Sequence, residues 1–464
     1  MSFVEERRVL TREKRLSALS NYHGTLEALI DEASGAEIKQ KIRTFAQIYK
    51  DEIINAFEVL AKIEDAVIIV NGAIGCAGIG IERNPYPEYV WYSTNLAERD
   101  TILGGDDKLR EAILRAYEEK HPKAIFIIGT PVVAINNDDI NSVIFEMEEE
   151  IGIPVISIYT DGFKTKTPVT GYDIVTHSLL KYLVNIEPTE KGDFINVISF
   201  SEKADDVAAI AEILKELDIK YQVIPAFSNI REIQRASSAK ASIVLNPEEG
   251  EYLAEELRDV FGVPYLETEV PIGYRETENF LIRLSRFLGV EERTAAYIDK
   301  QREKITEVYD PALLASKKIF IDATLSKIPA YAKMFVKYSG EVIGFSSGFI
   351  DLANRKQLKK LDFLAKSTIA MIGNGQNFEK ANALAKSGAD FYVTEECGGE
   401  FAIAEGVAVV SLKNTVTYGF LGVISIIKAI RKAVILKRLY ERQSIYKDSW
   451  KKKSGNWYVK QEVS

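Results

Sequence analysis

Only two cysteines, Cys76 and Cys397, occur in 464 residues, which excludes a disulfide framework and suits a reducing compartment. Histidine is nearly as scarce, with His23, His121 and His177 alone, and no HExxH, CxxC or Ser-His-Asp spacing can be assembled. Self-sufficient zinc or triad chemistry is therefore not expected. Positive charge is in deficit too: 59 Lys and Arg face 68 Asp and Glu, for a formal charge of −9. Such a field repels nucleic acid and anionic membranes. Long apolar runs are missing. The start, MSFVEERRVLTREKR, has no apolar core behind its charges, and the late run FLGVISIIKAIRKAVILKRL is broken by Lys428, Arg431 and Lys432. Neither a signal peptide nor a membrane span is expected, so the reading is a cytoplasmic protein.

What is present is ordinary globular composition, 46% hydrophobic and 27% charged, in a chain long enough for several lobes, each burying its own core. A short β-branched run, a Gly or polar turn and an amphipathic helical stretch recur along it, the βα grammar of parallel sheets. The runs AVIIV (66–70), AIFII (124–128) and PVISI (154–158) read as strands buried on both faces. A second set begins with FINVISF and continues through DDVAAIAEILKELDI, ASIVL and EEGEYLAEELRDVFG. A third begins with KKIFIDA and includes PAYAKMFVKYSG, STIAMIG, FEKANALAKSG and VAVVSL. The expected fold class is α/β, with three Rossmann-like lobes whose parallel sheets are flanked by helices. The expected organisation is a helical N-terminal segment (1–60), a first lobe with a Gly-Cys loop (61–190), a second lobe (191–310), a third lobe (311–435) and a basic tail (436–464) that drapes the surface or docks. Ligands in such lobes bind beyond the carboxyl ends of the strands.

The loop after the first strand, NGAIGCAGIG, holds Cys76 among Gly72, Gly75, Gly78 and Gly80. Glycines let a backbone turn tightly and present amide N–H groups to an anion, and a helix start lowers a thiol's pKa. Spacing alone favours the plainer reading of Cys76 as a small buried hydrophobe. No GxGxxG or GxxxxGK[ST] pattern completes a nucleotide loop. Cys397 follows Glu395 and Glu396, whose charges raise a thiol's pKa, so a structural role outranks a ligand role. His121 is expected to cap a helix end, and His177 to sit in a helix as a packed or partner-facing residue. Asp106-Asp107 and Asp138-Asp139 are expected to cap helix starts rather than bind metal.

Several stretches in order resemble the nitrogenase component 1 superfamily: NGAIGCAG, YSTNLAERDTILGGDDKLREAI, HPKAIFIIGTPVVAINNDDI, DGFKTKTPVTGYDIVTHSLL, FGVPYLETEVPIGYRETENFL and GNGQNFEKANALAKSGADFYVT. The resemblance runs from about Leu16 to Val434. It implies three Rossmann-like lobes, pairing with a homologous component 1 subunit as a homo- or hetero-oligomer, and an ATP-dependent iron–sulfur reductase that delivers electrons to a cluster at the subunit interface.

The family's three interface-cluster cysteine positions fall here on Ser20, with His23 close by, on Cys76, and on Pro131 of the Thr130-Pro131 turn. One thiolate cannot complete a cubane, which takes four protein ligands. The resemblance thus implies Cys76 as the metal ligand of a 4Fe-4S cluster shared with a partner chain, with Ser20 and the Gly75 loop as further cofactor-binding elements. The ligands of the family's molybdenum–iron type cofactor are absent. Asn246 stands at the cysteine position, VVSLKNTVTYGFLG offers no histidine, and Pro168 and Asp173 replace a glutamine and a histidine. Dinitrogen reduction at this chain is not expected. Two functions follow: a subunit of a two-component reductase of unknown substrate, or a non-catalytic partner or cofactor-assembly scaffold. A small-molecule binding protein is the reading if the resemblance is set aside.

Overall fold

The computed structural model describes residues 15, 17–35, 38, 51–73, 75, 90–136, 138–163, 167–185, 191–373, 377–396 and 398–437, and the backbone alone of 438–453. Two strands open it, β1 (Ala18–Leu19) and β2 (Tyr22–Thr25), followed by the helices Leu26–Ala33 and Glu52–Leu60. The N-terminal stretch expected to be helical therefore also carries strands. Their polar sequence YHGT gives no apolar alternation, because β2 is an edge strand whose partner is remote in sequence.

The first sheet comprises β3 (Ala66–Asn71), β4 (Trp91–Ser93), β5 (Ala124–Gly129) and β6 (Val155–Ile158) in the order β4-β3-β5-β6, all parallel. All six residues of β5 are buried, as continuous apolar runs require of a strand covered on both faces. The second sheet contains β7 (Ile195–Ser199), β8 (Tyr221–Pro225), β9 (Ala241–Val244) and β10 (Tyr265–Leu266) in the parallel order β10-β9-β7-β8.

The third is built from β11 (Lys318–Asp322), β12 (Glu341–Ser347), β13 (Ile350–Asp351), β14 (Ile369–Ile372), β15 (Phe391–Thr394) and β16 (Ala408–Ser411). Its order is β16-β15-β11-β12-β14-β2, with β2 antiparallel on β14, while β13 pairs instead with β1. The N-terminal segment is thus part of the third lobe's sheet.

The cores are shared between lobes. Ile195, Val197 and Ile243 of the second sheet belong to the same continuous buried cluster as third-lobe Ile319, Phe345 and Ala370, joined through helices such as Ala204–Glu216 and the C-terminal helix, which pack on each other. On the other face, Ile198 and Val244 belong to the cluster that holds first-lobe Ile68, Phe126 and Ile156, with the helices Pro247–Phe261 and Thr170–Tyr182 packed between. The period of two in a strand places these sets on opposite faces, so the middle sheet supplies apolar surface to both neighbours. The C-terminal helix Gly419–Lys453 buries Phe420, Val423, Ile426, Ile427, Ile430 and Ala433 at helical spacing. Its backbone remains helical into the region expected as a draped tail. No helix among the described residues is long and apolar enough to cross a membrane.

Candidate functional site

Two places on this frame correspond to the sequence-derived candidates. The first lies at the carboxyl end of β3. Asn71 and Gly72 are clamped there: the Thr130 hydroxyl donates to the Asn71 carbonyl at 2.8 Å, the Thr94 hydroxyl donates to Asn71 Oδ1 at 3.0 Å, and the Gly72 amide donates to Thr94 Oγ1 at 2.9 Å. A Cβ on Gly72 would lie 2.0 Å from Thr130 Oγ1, so only glycine fits. Gly75 is exposed, with open space where a side chain would be. Cys76 lies outside the described residues, as does Cys397.

The Asn71–Gly129 register brings Gly72 beside Thr130. Pro131 opens the helix Pro131–Asn136 and offers no donor atom to a metal. Ser20, half-buried, lies between the strands that join the third lobe, and His23 is exposed on β2 opposite Met371. Among the described residues no group of three His, Cys, Asp or Glu side chains is placed to hold a metal ion.

The second place is the junction where carboxyl ends of strands meet. Asn246, one residue after Leu245 beyond β9, caps the helix Pro247–Phe261: its Oδ1 accepts from the Glu248 amide at 3.2 Å and from the Ser326 hydroxyl at 2.6 Å. Behind it, the Tyr418 ring is fully buried and its hydroxyl donates to the Leu245 carbonyl at 3.4 Å. Thr417 is held on Asp206 through its amide (2.5 Å) and hydroxyl (3.0 Å). Asp173, on the helix Thr170–Tyr182, accepts from Arg15 Nε at 2.8 Å. The fold thus gathers around one junction Asp173, Asn246 and, through Thr417 and Tyr418, the stretch VVSLKNTVTYGFLG in which the resemblance looks for a histidine and finds none.

Sequence reasoning missed most of the charged groups around them. Arg15 is 3% exposed and bonded to Asp173, to Asp351 Oδ2 at 2.9 Å and to the Glu248 carbonyl at 3.1 Å. Lys327 pairs with Glu395 at 3.2 Å and faces the Tyr418 ring at 5.5 Å, while Tyr331 donates to Glu395 at 2.5 Å. Burial opposes charge on Lys327, but Glu395 and neighbouring acids keep its ammonium above the ordinary pKa. Burial also opposes the Glu395 anion, but Lys327 and the Tyr331 hydroxyl hold that carboxyl below its usual range. Beside Arg15 opens a cleft of about 200 Å³. The acids of PEEG at a helix start were the visible signal; Glu248 and Glu249 find Ser326 and Ser201 at 78 and 48 residues' separation, and Arg15 finds its partners 158 to 336 residues away.

These residues do not fit a metal cofactor held by a thiolate and an imidazole. Asn246 presents an amide whose oxygen is already engaged, Thr417 and Tyr418 bond to Asp206 and backbone, and Asp173 is neutralised by Arg15. The remaining candidates play structural parts. His121 is the left-handed C-cap of the helix Asp106–Lys120, whose first turn holds Asp106 and Asp107. Asp139 caps Ile140–Ile151, accepting from the Ser142 amide at 3.2 Å. His177 lies within Thr170–Tyr182.

Residues 53–435 match the model of the family described as nitrogenase component 1 type oxidoreductase. Among curated proteins, the nitrogenase iron-molybdenum cofactor biosynthesis protein NifE of Clostridium pasteurianum is 34% identical over 248 residues, covering 51% of this chain and 53% of that protein. NifE of Methanococcus maripaludis is 30% identical over 61% of this chain and 62% of its own length. The nitrogenase molybdenum-iron protein alpha chain of Methanosarcina barkeri is 28% identical over 61% of this chain and 57% of its own. The matched stretch thus spans only about half to three fifths of these relatives. A solved structure described as nitrogenase Cp1 at pH 6.5 superposes with a TM-score of 0.75 over 88% of this chain and 97% of that one, at 18% identity, a likeness of fold.

Proposed function

The chain belongs to the nitrogenase component 1 type oxidoreductases, and from that premise we propose that it is the partner or assembly-scaffold subunit of a nitrogenase-like complex, converting no substrate in its own lobe junction. One observation carries this reading: the junction positions 246 and 417–418 bear an amide, a threonine and a tyrosine already hydrogen-bonded within the protein. Similarity to two NifE proteins, named for cofactor biosynthesis, points the same way. The homologous partner subunit would carry any molybdenum–iron type cofactor. The test is anaerobic isolation of the complex, separation of its subunits and metal analysis of each. We expect no multi-metal cofactor on this chain; finding one bound here overturns the reading.

A second reading is favoured by the glycine loop. In it the chain is a reductase subunit that receives electrons from an ATP-dependent iron–sulfur protein through a 4Fe-4S cluster at the interface. Cys76 would supply a thiolate and Ser20 an oxygen, with the Gly75 loop turning amides toward the cluster. The exposure of Gly75 suits a loop that meets another chain. Iron content and EPR of the complex with Cys76→Ala decide it: loss of one cluster's iron supports the ligand role, and unchanged iron refutes it.

A further inference from the structure

The Arg15 side chain bonds to elements of all three lobes. Its Nε and Nη2 reach both oxygens of Asp173 (2.8 and 3.3 Å), on the first lobe's helix Thr170–Tyr182. Nη1 reaches Asp351 on β13 of the third lobe at 2.9 Å, and Nη2 also donates to the Glu248 carbonyl of the second lobe at 3.1 Å. The bidentate contact with one carboxylate and the side contact with another match the planar fork of a guanidinium and no other side chain.

Two of this pocket's three walls are held in place without Arg15. Asp351 Oδ1 accepts from the amides of Ala353 (2.8 Å) and Asn354 (2.7 Å), so its own turn orients it. The Glu248 carbonyl belongs to a helix start held by Asn246 and Ser326. The cleft of about 200 Å³ opens directly beside the guanidinium, lined also by Glu251, Tyr252, Glu255, Lys356 and Gln357. Gln357 is 3% exposed and its Oε1 is buried with no hydrogen-bond partner, an acceptor left over at the site.

We propose that the three-lobe junction is a guanidinium receptor, walled by Asp173, Asp351 and the Glu248 carbonyl, which this chain fills with its own Arg15 as a tethered ligand. Small guanidinium compounds are the class that occupies it when Arg15 is withdrawn. The inference does not depend on whether Cys76 binds iron.

The test is chemical rescue in the full-length chain. Arg15→Ala leaves two buried carboxylates without their cation, which destabilises the fold. Its thermal midpoint should rise saturably with low-millimolar methylguanidinium or agmatine, with at least about tenfold weaker response to ammonium ion at matched ionic strength. Wild type should not respond, and adding Asp173→Asn and Asp351→Asn should abolish the rescue. If Arg15→Ala fails to fold, the yield on refolding with and without methylguanidinium becomes the readout. A variant indifferent to methylguanidinium beyond the salt control, or a wild type that responds equally, overturns the proposal.

Discussion

Two adjacent carboxyls in the first turn of the helix Pro247–Phe261 take up protons far more readily than ordinary carboxylates. Burial, then repulsion from Asp351 and Glu249, pushes Glu248 up to about 8; burial, then Glu202, pushes Glu249 up to about 7. Their folded pKa values exceed the unfolded value near 4.5. Their stabilising contribution is therefore complete below about pH 4.5 and is lost as pH rises through about 7 and 8. Urea unfolding should show stability falling across that window, by at most about 5 kcal/mol for Glu248. Glu248→Gln, which keeps an acceptor for the Ser326 amide, should flatten the slope; an unchanged slope would place the titration elsewhere. The Gly72 clamp gives a steric prediction. Gly72→Ala forces its new methyl against Thr130 and should cost about 1–3 kcal/mol. Because Thr130→Ala removes the two nearest clashing atoms, at 2.0 and 2.7 Å, the double variant should lose less than the sum of the singles by denaturant titration.

At the scale of elements, the helix Asp106–Lys120 ends in His121 at φ 48° and ψ 51°, a left-handed conformation that costs a β-carbon. A cap there was legible from the sequence, but the reason was not: backbone geometry, rather than charge, is what His121 supplies. His121→Gly should raise stability by about 0.5–1 kcal/mol in thermal unfolding, and a loss would show that the Tyr117 ring contact matters more. The same division runs through the fold. Strands β3 and β5 stand out as apolar runs because both their faces are covered. In contrast, β2 and β4 are half-exposed edges, and β8 carries the buried polar Gln222, so none shows a strong apolar run. At the site, Asp173 and Asn246 were reachable through the resemblance. Arg15 was not, since its partners lie 158, 233 and 336 residues away and no local period encodes a contact at that range.

For the whole molecule, the expectation of lobes with private cores gives way to cores that run on from lobe to lobe through the helices between the sheets. Ile195 and Val197 belong to the cluster continuous with the third lobe, while Ile198, one residue on and on the opposite face, belongs to the one continuous with the first. Neither outer lobe can part from the middle one without exposing apolar surface, at about 25 cal/mol per Å². Arg15 adds buried charge contacts across the lobes, whose breaking strands ions in low dielectric. Lobes coupled in this way should unfold as one unit, despite a length at which domains commonly melt separately. Scanning calorimetry of the isolated chain should give a single transition with van't Hoff and calorimetric enthalpies in agreement. In Arg15→Ala, the shared apolar faces remain while the polar tie is gone, so the transition should move down in temperature yet stay single. If that variant instead melts in two steps, the guanidinium, and not the shared sheet, is what joins the lobes.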